Sequence, residues 1–276
     1  MNFHGTELRQ KALTLLRGGA KNAEVGRQLN IPLGTISYWK HIDRTKRGEP
    51  VQTRPSLLCP RCDARSLNQP TYAYLLGLYL GDGHISHYAK HKVPSLMITL
   101  DDAWPGIQDE AEAALRSVFP HNATCRVRTK GAHNIKVYFK HLNCLFPQHG
   151  PGKKHDRKIA LEPWQQKIVD AHPWAFIRGL IHSDGCRITN WTTRLVRGER
   201  KRYEYPRYFF TNVSDDIRQI FTDTLDRLGI QWTHCTRHGN PYNISVARKA
   251  CVTLMDTRDC PINGVTGVVE VSGVLC

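Results

Sequence analysis

The sequence predicts an α+β chain of two related halves, each running helix, strand, strand, helix, strand, strand, behind an all-helical N-terminal unit. Three observations carry this. First, Tyr72-Ala-Tyr-Leu-Leu-Gly-Leu-Tyr-Leu-Gly-Asp82-Gly83 recurs as Trp174-Ala-Phe-Ile-Arg-Gly-Leu-Ile-His-Ser-Asp184-Gly185, at a constant offset of 102 residues. Second, Asn134-Ile-Lys-Val returns as Asn243-Ile-Ser-Val at an offset of 109, so the second copy is longer by about seven residues. Third, residues 6–40 carry apolar residues at helical spacing and no strand pattern.

Size and charge bound the rest. A chain of 276 residues holds about two domains and a sizeable core. Lys and Arg outnumber Asp and Glu by 39 to 24, a net charge of +15 that points to a polyanionic partner. No apolar run reaches the roughly 18 residues of a membrane span, and Met1–Arg9 has no apolar core of a signal peptide. The expectation is a cytoplasmic protein with no membrane partner. Nine cysteines, irregularly spaced, read as reduced thiols in such a compartment.

The N-terminal unit is expected over residues 1–45. Leu8, Ala12, Leu15 and Leu16 share one helical face, and Gly18-Gly19 ends that helix. Asn22 is expected to cap a second helix through Leu29. Asn30-Ile-Pro32 then turns the chain into a third, Leu33–Lys40, with Ile36 and Trp39 facing inward. Three short helices with a tight turn before the last resemble a helix-turn-helix. That would set Gly34, Thr35, Ser37, Tyr38 and Lys40 toward a major groove or phosphates; the alternative is a plain three-helix packing module.

Residues 41–57 lack periodicity and contain two prolines, so they read as linker, and the connecting segment between the domains is bounded at 46–69. That segment also carries Cys59-Pro-Arg-Cys62. A zinc ribbon needs two such pairs, and no second Cys-x-x-Cys follows. Two reduced thiols in a loose knuckle are therefore expected, with zinc at Cys59 and Cys62 the alternative. His84, Cys125 or Cys144 would complete such a site only by coincidence of the fold.

The first half is expected over 70–160. Its helix ends at Asp82, then come strands His84–Tyr88 and Val93–Leu100, helix Ile107–Phe119, and strands Thr124–Lys130 and Asn134–Phe139. Phe146–Arg157 is a basic connector rich in Gly and Pro. The second half, 161–260, repeats the order with strands Cys186–Val196 and Tyr208–Asn212, helix Asp215–Leu228, and strands Gln231–Thr236 and Asn243–Ala247. The extra residues fit a basic hairpin, Arg194–Arg202. The tail, 261–276, shows weak strand character.

The duplicated helices carry the chemistry. Gly77 and Gly81, like Gly179 and Ser183, leave one face nearly free of side chains, so two such helices can meet backbone to backbone. Gly83 and Gly185 are expected in the left-handed conformation that follows a helix end. Asp82 and Asp184 would then lie side by side at two helix C-termini, where the helix dipole and mutual repulsion both disfavour them. A divalent cation, Mg²⁺ or Mn²⁺, offsets both effects. The bland reading, that Asp-Gly is only a turn signal, loses force when it recurs at a fixed offset behind matched helices.

Leu75-Leu-Gly-Leu-Tyr-Leu-Gly-Asp-Gly83 and Ile177-Arg-Gly-Leu-Ile-His-Ser-Asp-Gly185 resemble the two motifs of LAGLIDADG homing endonucleases, over roughly residues 70–255. The resemblance implies two pseudo-symmetric αββαββ halves with the motif helices as their interface. It implies two sheets forming a saddle on double-stranded DNA and a motif acid holding metal near each scissile phosphate. A single-chain, two-motif form would act as a monomer and cut both strands of a long, pseudo-palindromic or asymmetric site. The helix-turn-helix fits free-standing bacterial or phage members.

The motif's sixth position is often acidic in that family, and here it is Leu80 and His182; His182 reads as an interface residue rather than a base. Basic residues near the metal are also implied, for which Lys136 and Lys249 (or Arg248) are the candidates. DNA contacts are expected from Lys90, Lys92, Arg126, Arg128, Lys130, Arg194, Arg197, Lys201 and Arg202, on strands or hairpin tips. Two alternatives stay open: a DNA-binding regulator that does not cut, and an RNA maturase.

Overall fold

Apolar spacing sets the helices of the first unit. In the computed structural model, which describes residues 5–49, 59–86, 93–237 and 239–258, the chain divides into two units at Leu58/Cys59. Three expected features, the DNA-contacting Lys90 and Lys92 and the 261–276 tail, lie outside the described residues. The first unit holds α1 (Thr6–Arg17), α2 (Asn22–Gln28) and α3 (Leu33–Lys46), closed around Ala12, Leu16, Val25, Ile31, Ile36 and Trp39. Gly19 at φ +92° and Asn30 at φ +51° make the two turns.

Two details differ from expectation. Lys21, not Asn22, precedes α2, and its N–H is accepted by Glu24 at 3.0 Å. Asn22 instead reaches α3, donating to Ser37 Oγ at 3.1 Å and accepting from Lys40 Nζ at 3.4 Å. Helix α3 also runs past Lys40 to Lys46, so residues 41–46 are not linker. Asp43 explains the extra turn. It is buried, and it pairs with Arg17 of α1 and with Arg47 at 3.0 Å.

The second unit repeats itself. The first half contains α4 (Gln69–Leu80), β1 (Gly83–Ser86), β2 (Ser95–Asp101), α5 (Pro105–Val118), β3 (Thr124–Thr129) and β4 (Ala132–Tyr138). A short helix, α6 (Leu142–Leu145), leads into the connector, and α7 (Pro163–Ala171) follows it. The second half contains α8 (Pro173–Asp184), β5 (Gly185–Val196), β6 (Glu199–Thr211), α9 (Asp215–Arg227), β7 (Thr233–Arg237) and β8 (Asn240–Val246), and ends in α10 (Lys249–Asp256). Each half forms a four-stranded antiparallel sheet, ordered β1-β2-β4-β3 and β5-β6-β8-β7. The fold class expected from the sequence is thus observed.

The second sequence echo falls on equivalent central strands. Thr99 donates across to Asn134 at 2.7 Å, and Thr211 to Asn243 at 2.5 Å. Helices α6, α7 and α10 have no counterpart in the sequence reading.

Helices α4 and α8 pack without side chains between them. A Cβ on Gly77 would lie 2.5 Å from the Phe176 carbonyl oxygen and 2.8 Å from Leu180 N. A Cβ on Gly179 would collide with the Tyr74 carbonyl oxygen, and one on Gly81 with Ser183 Oγ. Ser183 turns its hydroxyl back to its own helix, donating to the Gly179 and Leu180 carbonyls at 3.1 and 3.0 Å. Around this contact Leu75, Leu76, Leu78, Leu80, Phe176, Ile177, Leu180 and Ile181 are excluded from solvent.

Gly83 and Gly185 correct an expectation. Neither has a positive φ; Gly185 is extended, at φ −109° and ψ 168°. What excludes a side chain is proximity. Strands β1 and β5 leave the helices so tightly that a Cβ on Gly83 would strike the Tyr79 backbone. One on Gly185 would lie 2.7 Å from Ile181 Cα.

Gly77→Ala and Gly179→Ala are each expected to destabilise the protein by at least about 2 kcal/mol, because backbone offers no rotamer to escape into. Gly150→Ala, whose Cβ would meet nothing nearer than Arg157 Cδ at 3.6 Å, is expected to stay within about 0.5 kcal/mol of the parent. Urea denaturation of the three variants checks this.

Candidate active site

The interlocked helices deliver two carboxylates to one place. Asp184 is the last residue of α8, and Asp82 follows the Gly81 cap of α4. The Asp184 carboxylate lies across the end of α4, since a Cβ on Gly81 would come 3.0 Å from Asp184 Oδ2. Asn212, just after β6, donates its Nδ2 to the same oxygen at 2.5 Å.

Lys154 of the connector reaches the other helix end. Its Nζ donates to the carbonyls of Tyr79 at 2.8 Å, Leu80 at 2.9 Å and Gly81. These are carbonyls that a helix C-terminus leaves without intrahelical partners. A cation there also complements the helix dipole.

Burial dominates the titration of all three groups. It pushes Asp82 up to about 7; Asp184 adds to the rise and Lys154 opposes it. Asp184 also moves up through burial, against the Asn212 hydrogen bond and the Lys154 charge. Lys154 is pulled down to about 8 by burial, although both acids hold its proton. His84 is lowered by burial and by Lys154 and Arg157. One ammonium therefore faces two buried carboxylates, which burial disfavours as anions. Paired carboxylate oxygens suit a hard divalent cation such as Mg²⁺ or Mn²⁺, so these residues fit that ion.

The acids open to different sides. Asp184 lines a cleft of about 490 Å³ with His84, His149, Lys153, Lys154, His155, Arg157 and Asn212. Asp82 lines a smaller cleft, about 120 Å³, with Asp101, Trp104, His182 and Ser183. Lys136 and Lys249 line neither. Lys136 lies on β4, paired with Met97 and Cys125. Lys249 is not on a strand at all but is the first residue of α10, exposed. His182 is buried between helices, 3.0 Å from the Tyr74 hydroxyl and 3.6 Å from Glu110, which also pairs with Arg178.

Strand alternation sorts the expected DNA contacts. Arg126 is paired with Ile135, whose side chain is buried, and Arg128 with His133 on the same face. That is the face toward α5. Arg126 binds Asp109 at 2.6 Å and Glu112 at 2.5 Å, both on α5, and Arg128 lies 4.0 Å from Asp102. Neither belongs to the opposite face, where Lys136 and Asn134 lie. In the second sheet Phe210 stacks on Phe221 of α9 at 4.3 Å, which fixes the helix side.

Arg194 and Lys201 pair with each other on the other face, together with Arg207. Arg202 has the helix-side parity and sits over Trp191 at 4.9 Å. Lys130 and Arg197 precede Gly131 and Gly198 in the two hairpin turns. In the first unit, Ser37 and Tyr38 are exposed on α3, and Thr35 and Lys40 are partly so.

His84, named from the sequence only as a possible zinc ligand, lies instead in the Asp184 cleft, and three residues have no counterpart in the sequence analysis: Lys154, Asn212 and His141. The last joins Cys59, Cys62 and Cys144 in one cluster, so the two thiols are not a loose pair. The sequence signal for it is His141-x-x-Cys144, a His–Cys pair in place of a second Cys-x-x-Cys.

No protein-family model matches the chain, and no curated protein matches it. The solved structures similar to it are LAGLIDADG homing endonucleases and a WhiA LAGLIDADG domain. I-DmoI in complex with DNA and Mn is 17% identical, covering 68% of this chain and 96% of that one, with a TM-score of 0.46. The N-terminal LAGLIDADG domain of DUF199/WhiA is 12% identical over 70% and 83%, with a TM-score of 0.45. The LAGLIDADG meganuclease I-AabMI bound to uncleaved DNA is 12% identical over 67% and 83%, with a TM-score of 0.44.

The raised Asp82 gives a signed pH dependence. Between its ordinary range near 3.8 and about 7, the folded protein holds a proton that the unfolded chain has released. That contribution to stability is complete below the ordinary value and is lost as pH rises through about 7. Asp82→Asn keeps a neutral group there. Without added metal it is expected to match the parent at pH 4 and to exceed it at pH 8. Denaturant midpoints across that range check the sign.

Proposed function

We propose that the chain is a site-specific, metal-dependent DNA endonuclease of homing type that makes double-strand cuts at a long, pseudo-palindromic or asymmetric site as a monomer. The observation that carries this is the pair Asp82 and Asp184, buried together at the ends of two helices that glycine alone allows to touch. The motif resemblance supports it, as does the charge of +15.

A divalent ion held by the two carboxylates would stabilise the negative charge that develops on a phosphodiester during hydrolysis. The chain's own residues do the rest. Asn212 fixes the rotamer of Asp184. Lys154 holds the last turn of α4 and offsets part of the carboxylate charge. His84, held below its ordinary pKa by burial in the Asp184 cleft, is a group there able to accept a proton near neutrality. Lys136, Arg194 and Lys201 share the sheet faces turned away from the helices and are assigned to phosphates. Thr35, Ser37, Tyr38 and Lys40 of α3 are assigned to a second DNA contact as a helix-turn-helix.

One observation favours a second reading, a DNA-binding regulator that does not cut. With Asp82 at about 7 and Lys154 charged, the site can hold one proton and stay close to neutral without metal.

Incubation with a randomised duplex library and Mg²⁺ separates the two: defined double-strand ends support the nuclease, and enrichment without cutting supports the regulator. In the nuclease, Asp82→Asn and Asp184→Asn are each expected to lower cleavage by about 10² to 10³-fold while DNA affinity changes little. Cleavage at the parental rate would reject the two-acid site. Affinity is expected to fall linearly on a log–log plot against salt, and a flat response would reject the phosphate-tracking surface.

A further inference from the structure

The second unit begins at Cys59, in a segment without helix or strand before α4. Little apolar packing holds such a stretch, yet Cys59 is excluded from solvent and belongs to the main core. The turn around it is closely specified. Asp63 N–H donates to the Cys59 carbonyl at 2.9 Å, and Cys59 N–H donates to the Asp63 carboxylate at 2.7 Å. The backbone N–H groups of Arg61 and Cys62 are directed at the Cys59 sulfur. Arg61 lies over the Trp164 ring at 4.5 Å, tying the turn to α7.

Opposite this turn, residues brought from far along the chain converge. Cys62 Sγ is 3.4 Å from His141 Nδ1 and 3.4 Å from Cys144 Sγ, and Cys144 Sγ is 3.8 Å from His141 Nδ1. The ligand atoms of Cys59, Cys62, His141 and Cys144 all lie within 4.8 Å of one another. Zinc bonds of about 2.3 Å to sulfur and 2.0 Å to nitrogen give tetrahedral edges of roughly 3.5 to 3.8 Å. These three separations fall near those edges. A disulfide would need the sulfurs at about 2.05 Å, and the three cysteines are free thiols.

We propose that Cys59, Cys62, His141 and Cys144 form a structural zinc site that staples the start of the second unit to the α6 turn. The ligands come as Cys-x-x-Cys and His-x-x-Cys, two short pairs on two turns, the spacing that closed structural sites use. No position is left for substrate, and the soft donor set differs from the oxygen ligands of Asp82 and Asp184, so the two sites select different ions. The site is independent of whether the protein cuts DNA. Its place in the fold gives it a consequence: α6 leads directly into the connector that carries Lys154.

The test is metal analysis of the reduced full-length protein after dialysis against metal-free buffer. About one tightly held zinc per chain is expected. Replacement by Co²⁺ is expected to give the intense visible bands of a tetrahedral ion together with thiolate charge-transfer absorption. Cys62→Ser and His141→Ala should lose the metal, and Cys125→Ser, on β3, should keep it. If the ligand variants fail to fold, the Co²⁺ spectrum of the parent protein still decides. A folded parent that carries no zinc, takes up Co²⁺ without thiolate bands, or forms a Cys62–Cys144 disulfide in place of metal binding overturns the proposal.

Discussion

The structure depends on one steric constraint: α4 and α8 meet where no side chain intervenes. Gly77 and Gly179 bring each helix against the other's backbone, closer than any Cβ permits. The distance between the helix ends is thereby set by backbone atoms and not by rotamers. Whatever is attached to those ends inherits that precision. The two sheets follow, because β1 and β5 leave the same helix ends through glycines that hug Tyr79 and Ile181. Helix pair, carboxylate pair and first strands are therefore one rigid assembly.

That rigidity makes the electrostatics consequential. A flexible surface could separate two carboxylates, but this one cannot. Burial raises both, and among the described residues Lys154 and Asn212 oppose the rise. Lys154 contributes twice, as a charge and as the partner of three helix-end carbonyls. Its own lowered pKa shows that desolvation outweighs the attraction of both acids.

Repetition made most of this fold legible. An apolar helix ending in Asp-Gly is ambiguous once and informative twice, and the Asn134/Asn243 echo located the central strand of each sheet. What stayed hidden depends on contacts between distant segments. Lys154 lies in a Gly- and Pro-rich connector with no period to read, and only the fold brings it under α4. Arg126 and Arg128 looked like a phosphate-binding pair, but strand alternation turns both toward α5, where Asp109 and Glu112 take up Arg126. Gly83 and Gly185 were recognised as necessary for the wrong reason: crowding excludes their side chains, not handedness. Helix α10 has no counterpart in the repeat, because the echo ends with the strand, and Lys249 falls on the helix that follows it.

The twofold relation between the halves stops at the acids. Among the described contacts, an ammonium braces the end of α4, and a neutral amide holds the carboxylate that ends α8. The two clefts differ in size and in lining, one rich in cations and the other containing Asp101. A duplex laid across the pair would meet two unequal centres. In a protein that cuts DNA as proposed, each strand would meet a centre of different charge and shape, even though the scaffold that presents them is a duplication.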